Sequence, residues 1–253
     1  MSQPNHVTHI EAEDPAWKDV YRIGGAAALI LLLYSVVTLI VLTLLGAAPS
    51  TAAETFALLQ NNRIIGLLRL DVLTVFVYMP LLYLLFLGIY VALRPTQGAY
   101  TTLATALVFV GVTLLLATPS AFSMVDLSDK YAVATTETQR SQLLAAGEAI
   151  LASDMWHGTG AFLGGMLLQS GAVLISVVML RSKVFSQTIA YLGILTHGLD
   201  LAHFIFLLMA PGLGKILIAI AGTLYLIWFP LVGRRLLQLG RRESKALPQP
   251  AQA

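Results

Sequence analysis

The chain has 253 residues and a formal net charge of +2; 57% of its residues are hydrophobic and only 11% are charged. Soluble domains carry about 25% charged residues, so this composition excludes an ordinary soluble domain, and the small charge argues against nucleic acid as a partner. There is no cysteine, which excludes disulfides, thiolate metal sites and cysteine nucleophiles.

Residues 1–19 read as a polar tail with Glu11, Glu13, Asp14 and Asp19, and Trp17 and Tyr21 stand where an interfacial aromatic belt would place them. A bilayer span needs roughly 20 mostly apolar residues. Six runs qualify, over about 23–45, 64–93, 101–118, 155–180, 188–209 and 215–232. The first follows an acidic start and is too long for a signal-peptide core, so it reads as a retained helix. Pro80 inside the second run predicts a kink.

The outer segment 121–153 is the longest polar stretch between runs. Thr136 and Gln139 fit a capping box. Leu143, Leu144, Ile150 and Leu151 then recur at helical spacing opposite Arg140, Gln142 and Glu148, which predicts an amphipathic helix on the membrane surface or over the bundle mouth. In the fourth run Gly160 and Gly164 form a GxxxG pair, a signature of close helix packing. Pro211-Gly212-Leu213-Gly214 reads as a tight turn. The tail 238–253 is basic and Pro-rich. The predicted fold class is therefore all-α: a polytopic membrane bundle of six transmembrane helices, residues 20–237, with an extracytoplasmic amphipathic helix.

Lysine and arginine divide unevenly between the loops. Lys18, Arg22, Arg94, Arg181, Lys183, Arg234, Arg235, Arg241, Arg242 and Lys245 fall on one side; Arg63, Arg69, Lys130, Arg140 and Lys215 fall on the other, a split of 10 to 5. The positive-inside rule places the first set, with both termini, in the cytoplasm.

Ionisable groups at membrane depth are costly, so each is a candidate functional residue. Arg69 and Asp71 lie in the outer part of the second run and Asp126 follows the third. Asp154 and His157 open the fourth; His197, Asp200 and His203 lie in the fifth. Residues three apart sit about 60° apart around a helix, so Asp154 shares a face with His157, and Asp200 with each neighbouring histidine. His197 and His203 are about 120° apart, which limits the predicted convergent set to Asp154, His157, Asp200 and one histidine.

Three readings fit these residues. Arg69, Asp71, Asp126, Asp154, His157, Asp200 and His203 are candidates for an outward-facing polar pocket that binds a small ligand or lipid, or passes a proton. Alternatively, Asp154, His157, Asp200 and His203 hold zinc or iron in an intramembrane hydrolase, although no HExxH helix supports it. Finally, they are structural pairs, Arg69 with Asp71 or Asp126 and His203 with Asp200, in an accessory subunit that packs on other membrane proteins through the glycines of the fourth helix. Apart from the metal of the hydrolase reading, no cofactor is expected. The expected partners are the bilayer, a small-molecule or lipid ligand, and further membrane chains.

Three stretches carry a family resemblance: Asn62-Arg63-Ile64-Ile65-Gly66-Leu67-Leu68-Arg69-Leu70-Asp71; Phe122 through Tyr131 running on to Ala149; and Leu180-Arg181-Ser182-Lys183-Val184-Phe185 with Ala190-Tyr191-Leu192-Gly193. Together they resemble the bacterial membrane family known as domain of unknown function 4386, over about residues 20–240. The resemblance implies six spans in a bacterial inner membrane. It supplies no activity, and it does not call for His157, His197 or His203.

Overall fold

The computed structural model describes residues 15–46, 48–70, 72–118, 120–154 and 156–241. Every regular element among them is helical. In chain order they are α1 (Pro15–Leu45), α2 (Ala52–Asn61), α3 (Arg63–Arg69), a π-helical turn (Thr74–Tyr78) that runs into α4 (Met79–Leu116), α5 (Ala121–Val133), α6 (Glu137–Ala152), α7 (Thr159–Arg181), α8 (Gln187–Met209) and α9 (Pro211–Arg241). Five stretches are long and apolar enough to cross a membrane: Trp17–Leu45, Thr74–Val133, Thr159–Arg181, Gln187–Met209 and Pro211–Arg241.

α4 consists of two arms. Pro95 lies inside it, and Gln97 leaves helical geometry at φ −147° and ψ 68°. Proline removes a backbone donor and crowds the preceding turn, so the chain breaks here and doubles back. The Tyr83 hydroxyl of the first arm lies 2.6 Å from Thr113 Oγ1 of the second, and the Tyr83 and Phe109 rings meet edge to face at 4.9 Å. Farther along, Phe76 meets Phe122 at 6.0 Å.

The helices then close a ring. α1 packs on the first arm of α4, the second arm packs on α7, and α7, α8, α9 and α1 follow in turn. Each neighbour runs antiparallel to the last. Gly24 meets Gly88 while Tyr34 bonds Thr74 at 2.8 Å, and Gly25 meets Gly233 while Gly240 meets Arg22. The interior is filled by Phe86, Ile89, Ile175, Trp228 and Phe229, all buried.

The tightest seam joins α7 to the second arm of α4. A Cβ on Gly171 would lie 2.5 Å from the Ala104 carbonyl oxygen, and one on Gly164 would lie 2.9 Å from that of Gly111. Gly165 accommodates the Phe204 ring of α8. The predicted glycine face is thus used within the chain. Its working members are Gly164, Gly165 and Gly171, whereas Gly160 faces only Thr118 Cγ2 at 3.5 Å.

Four short helices cap one end of the ring around Ala52, Phe56, Leu59 and Met124. Thr51 caps α2, and Ser50 donates to the Glu54 carboxylate through its backbone N–H and its hydroxyl. These bonds hold the Glu54 carboxyl below the usual carboxylate range. Glu148 of α6 accepts from the Ala52 N–H at 2.7 Å, satisfying an open donor at the start of α2. Arg63 makes a two-pronged bond to Asp129, and Gln60 donates to the Ser128 carbonyl.

Several expected boundaries move. The run beginning at 64 is not one helix: Arg63–Arg69 is a separate cap helix that ends in extended backbone at Leu70, and the leucines and isoleucines on both sides of Arg69 hide that end from a hydropathy reading. Pro80 does not sit at a bare kink. It follows the π-helical turn Thr74–Tyr78, where looser winding absorbs the bond that proline cannot make. The outer segment forms two helices, α5 and α6. The Thr136 cap is present, with Gln139 reaching back to Thr135 N–H, but Glu148 points at α2 and not away from it. Pro211 begins a helix where a turn was expected: the turn is the single residue Ala210, and proline suits the first helical position. α1 and α9 extend into both supposed tails; the rest of those tails, 1–14 and 242–253, lies outside the described residues.

Gly171→Ala should lower stability by about 1–3 kcal/mol, because backbone must move to admit the methyl group. Gly160→Ala should stay within about 0.5 kcal/mol. Thermal unfolding in mild detergent measures both, and equal losses would refute the assignment of the seam.

Candidate functional site

Side chains from three helices meet in the ring interior: Gln169 of α7, His197 and Asp200 of α8, and Tyr225 of α9, all buried. Their placement follows from helical spacing. His197 and Asp200, three apart, share the inward face of α8. α7 and α9 flank α8 in the ring and bring one polar side chain each.

The hydrogen bonds form a closed set. Gln169 Nε2 donates to Asp200 Oδ2 at 2.7 Å, and the Tyr225 hydroxyl donates to the same oxygen at 2.9 Å. His197 Nδ1 lies 2.8 Å from Gln169 Oε1 and 3.0 Å from the Tyr225 oxygen, which itself lies 3.2 Å from Gln169 Oε1. With the amide nitrogen of Gln169 facing a carboxylate, its oxygen must face His197, so Nδ1 carries the imidazole hydrogen. His197 Nε2 is then a bare acceptor. Together with Trp228 Nε1 and Thr105 Oγ1, it is a buried side-chain polar atom without a hydrogen-bond partner among the described residues. The Trp228 ring stands at 89° to the imidazole, 4.7 Å away.

Tyr78 belongs to the π-helical turn, and its ring lies 4.9 Å from that of Tyr34. No ion pair among the described residues reaches Asp200. Its 6% exposure leaves it almost no solvent contact. Both groups that donate to it are neutral.

The other candidate residues lie elsewhere. Asp154 sits in the turn before α7, not on the helix, where Oδ1 accepts from Trp156 N–H at 2.8 Å and His157 N–H at 3.0 Å and lies 2.9 Å from His157 Nδ1. The His157 side chain is 67% exposed. His203 directs Nδ1 to the Gly214 carbonyl at 2.9 Å and ties α8 to α9 across the Ala210 turn, so its hydrogen bond does not go to Asp200. Asp126 pairs with Lys130 on the surface of α5 at 2.6 Å, not with Arg69. Arg69 belongs to the cap, donates to the Gly46 carbonyl, and lines an outer cleft of about 600 Å³ with Glu54, Ser50, Leu58 and Ile65. Asp71 lies outside the described residues.

The histidine that joins Asp200 is thus His197, and the set Asp154, His157, Asp200 and His203 is not brought together. Among the described residues no three His, Cys, Asp or Glu side chains gather as a metal-ligand group. Gln169 bonds between helices, as polar side chains in helical bundles do, while Thr196 bonds back to Leu192 of its own helix. Tyr225 carried no sequence signal, since one tyrosine in an apolar helix reads as packing. The centre's composition defines a class: a helical bundle with apolar, membrane-compatible helices around an acid held by neutral donors. Comparisons with protein-family models, with curated proteins and with solved structures return no match.

Gln169→Leu should cost about 1–3 kcal/mol in detergent melts, because it removes the nearer acceptor of His197 Nδ1–H and a donor to Asp200. Tyr225→Phe should cost about 1 kcal/mol, one hydrogen bond with the ring retained. The reverse order would mean that Tyr225, not Gln169, anchors the network.

Proposed function

We propose that the chain is a six-span membrane protein in which Asp200 is a proton-exchanging centre that links proton occupancy to the packing of α7, α8 and α9. The observation that carries this reading is a buried carboxyl whose hydrogen-bond donors among the described residues are the neutral side chains of Gln169 and Tyr225. Isolated carboxyls at membrane depth are functional sites by default.

The network provides two arrangements. With Asp200 ionised, Gln169 and Tyr225 both donate to it. With Asp200 protonated, the carboxyl itself becomes a donor, and the Tyr225 hydroxyl is free to turn toward Gln169 Oε1 at 3.2 Å. One proton therefore reorders bonds from three helices. The unpartnered His197 Nε2 beside them adds a second proton acceptor.

The six spans arise by counting the two arms of α4 separately. On this reading the tight bend at Gln97, the α7–α8 connection and the basic helix ends lie in the cytoplasm, and the cap lies outside. The resemblance to the uncharacterised six-span bacterial family supports the same arrangement and an inner-membrane location.

In bilayer nanodiscs, the infrared C=O band of protonated carboxyls should contain a pH-dependent component that is absent from Asp200→Asn. Identical titration of the two proteins would remove the proton-exchange reading. Topology has its own test, made clean by the lack of native cysteine. Ala145→Cys should react with an impermeant thiol reagent on intact cells, while Ala99→Cys and Lys183→Cys should react only after permeabilisation. Labelling of Ala99→Cys from outside would rule out a double crossing by α4.

A further inference from the structure

At the end of the ring opposite the cap, α1 and α9 leave a cleft of about 340 Å³ between them. It is lined by Leu29, Arg234, Leu237, Gln238 and Arg241. Arg234 and Arg241 are seven residues apart, which places them about 20° apart around α9 and about 10 Å apart along it. Both therefore face the same groove. The neighbouring Arg235 points elsewhere and donates to the Val184 carbonyl. No hydrogen bond or ion pair joins Arg234 or Arg241 to any described residue.

The depth of this cleft matters. α9 has 31 residues, about 46 Å of helix, against about 30 Å of bilayer hydrocarbon. The surplus at the basic end places Arg234 near the hydrocarbon boundary and Arg241 in the headgroup layer. Between them the groove offers Leu237, and its floor continues along α1 to Leu29, which is 40% exposed and lies beside Gly233. A guanidinium at that boundary without a protein anion needs one from the surroundings. Its planar fork matches the geometry of a phosphate.

We infer that this cleft binds one anionic diacyl phospholipid of the leaflet at the basic end. Its phosphate sits between Arg234 and Arg241, and the upper part of an acyl chain lies against Leu237 and Leu29. The apolar floor distinguishes a lipid from free phosphate, which would use the guanidinium groups alone. This site is separate from the Asp200 centre and depends only on the membrane setting of the bundle.

The full-length chain, extracted in mild detergent, is offered phosphatidylglycerol or phosphatidylcholine, and bound lipid is counted by native mass spectrometry. The wild type should retain about one phosphatidylglycerol, with a preference over phosphatidylcholine of about tenfold or more, since both arginines attract the anionic headgroup. The Arg234→Gln, Arg241→Gln double variant should lose that preference, while Arg181→Gln, which removes a charge at the same end but outside the cleft, should keep it. A melting curve on each variant checks that the bundle is intact; if the double variant is unfolded, Arg241→Gln alone should reduce the preference. Equal retention of the two lipids by the wild type, or an equal loss in Arg181→Gln, would overturn the proposal. Displacement of the lipid by millimolar inorganic phosphate would also overturn it, since the site would then be one for a free anion.

Discussion

The distance at which the helices cross governs this structure. At the α4–α7 seam, backbone lies against backbone, with Gly171 beside the Ala104 carbonyl and Gly164 beside that of Gly111. In lipid no hydrophobic effect drives one apolar helix onto another, so close van der Waals contact has to hold them. The pairs Gly24–Gly88 and Gly25–Gly233 do the same for α1. With those seams closed, the ring interior has room for Trp228, Phe86 and Phe229 and for a small polar core, and little else.

That polar core is shaped by the packing around it. Gly193 is bare because Ser176 and the Trp228 indole occupy the place of a side chain. Trp228 in turn presses against the imidazole of His197. The hydrogen-bonded set of Gln169, His197, Asp200 and Tyr225 therefore has fixed walls, and its bonds have few alternatives. Buried polar networks are costly when half-satisfied and specific when complete. Among the described residues this one is complete except at His197 Nε2.

The sequence was most legible where a single chemical type dominated a long window. The helices α1, α7 and α8 were placed within a few residues, apart from the early start of α1, because twenty or more apolar residues admit few alternatives. Of the basic residues, Arg22 meets Gly240 and Arg94 lies over Trp17 at 4.1 Å at one end of the bundle, while Arg63 reaches Asp129 at the other. What was hidden depended on partners distant in the chain. The break after Arg69 lies inside a hydrophobic run, and α2 and α5 are short helices stabilised by contact with each other. Helical spacing allowed either His197 or His203 beside Asp200, and only the opposing faces of α7 and α9 decide between them. Gly160 and Gly164 looked equivalent in sequence, yet only Gly164 meets a backbone.

The cap draws its small core from two separate parts of the chain. Ala52, Phe56 and Leu59 come from the segment after α1, and Met124 comes from the segment after α4. Glu148, which closes the start of α2, is 96 residues downstream of Ala52. Each segment contributes only part of that cluster, and short isolated helices are marginal in water. During synthesis the first segment gains its partners only after both arms of α4 have been made, Met124 of α5 first and Glu148 of α6 later. Completion of the cap thus becomes a record that the first half of the bundle has been assembled in the right order.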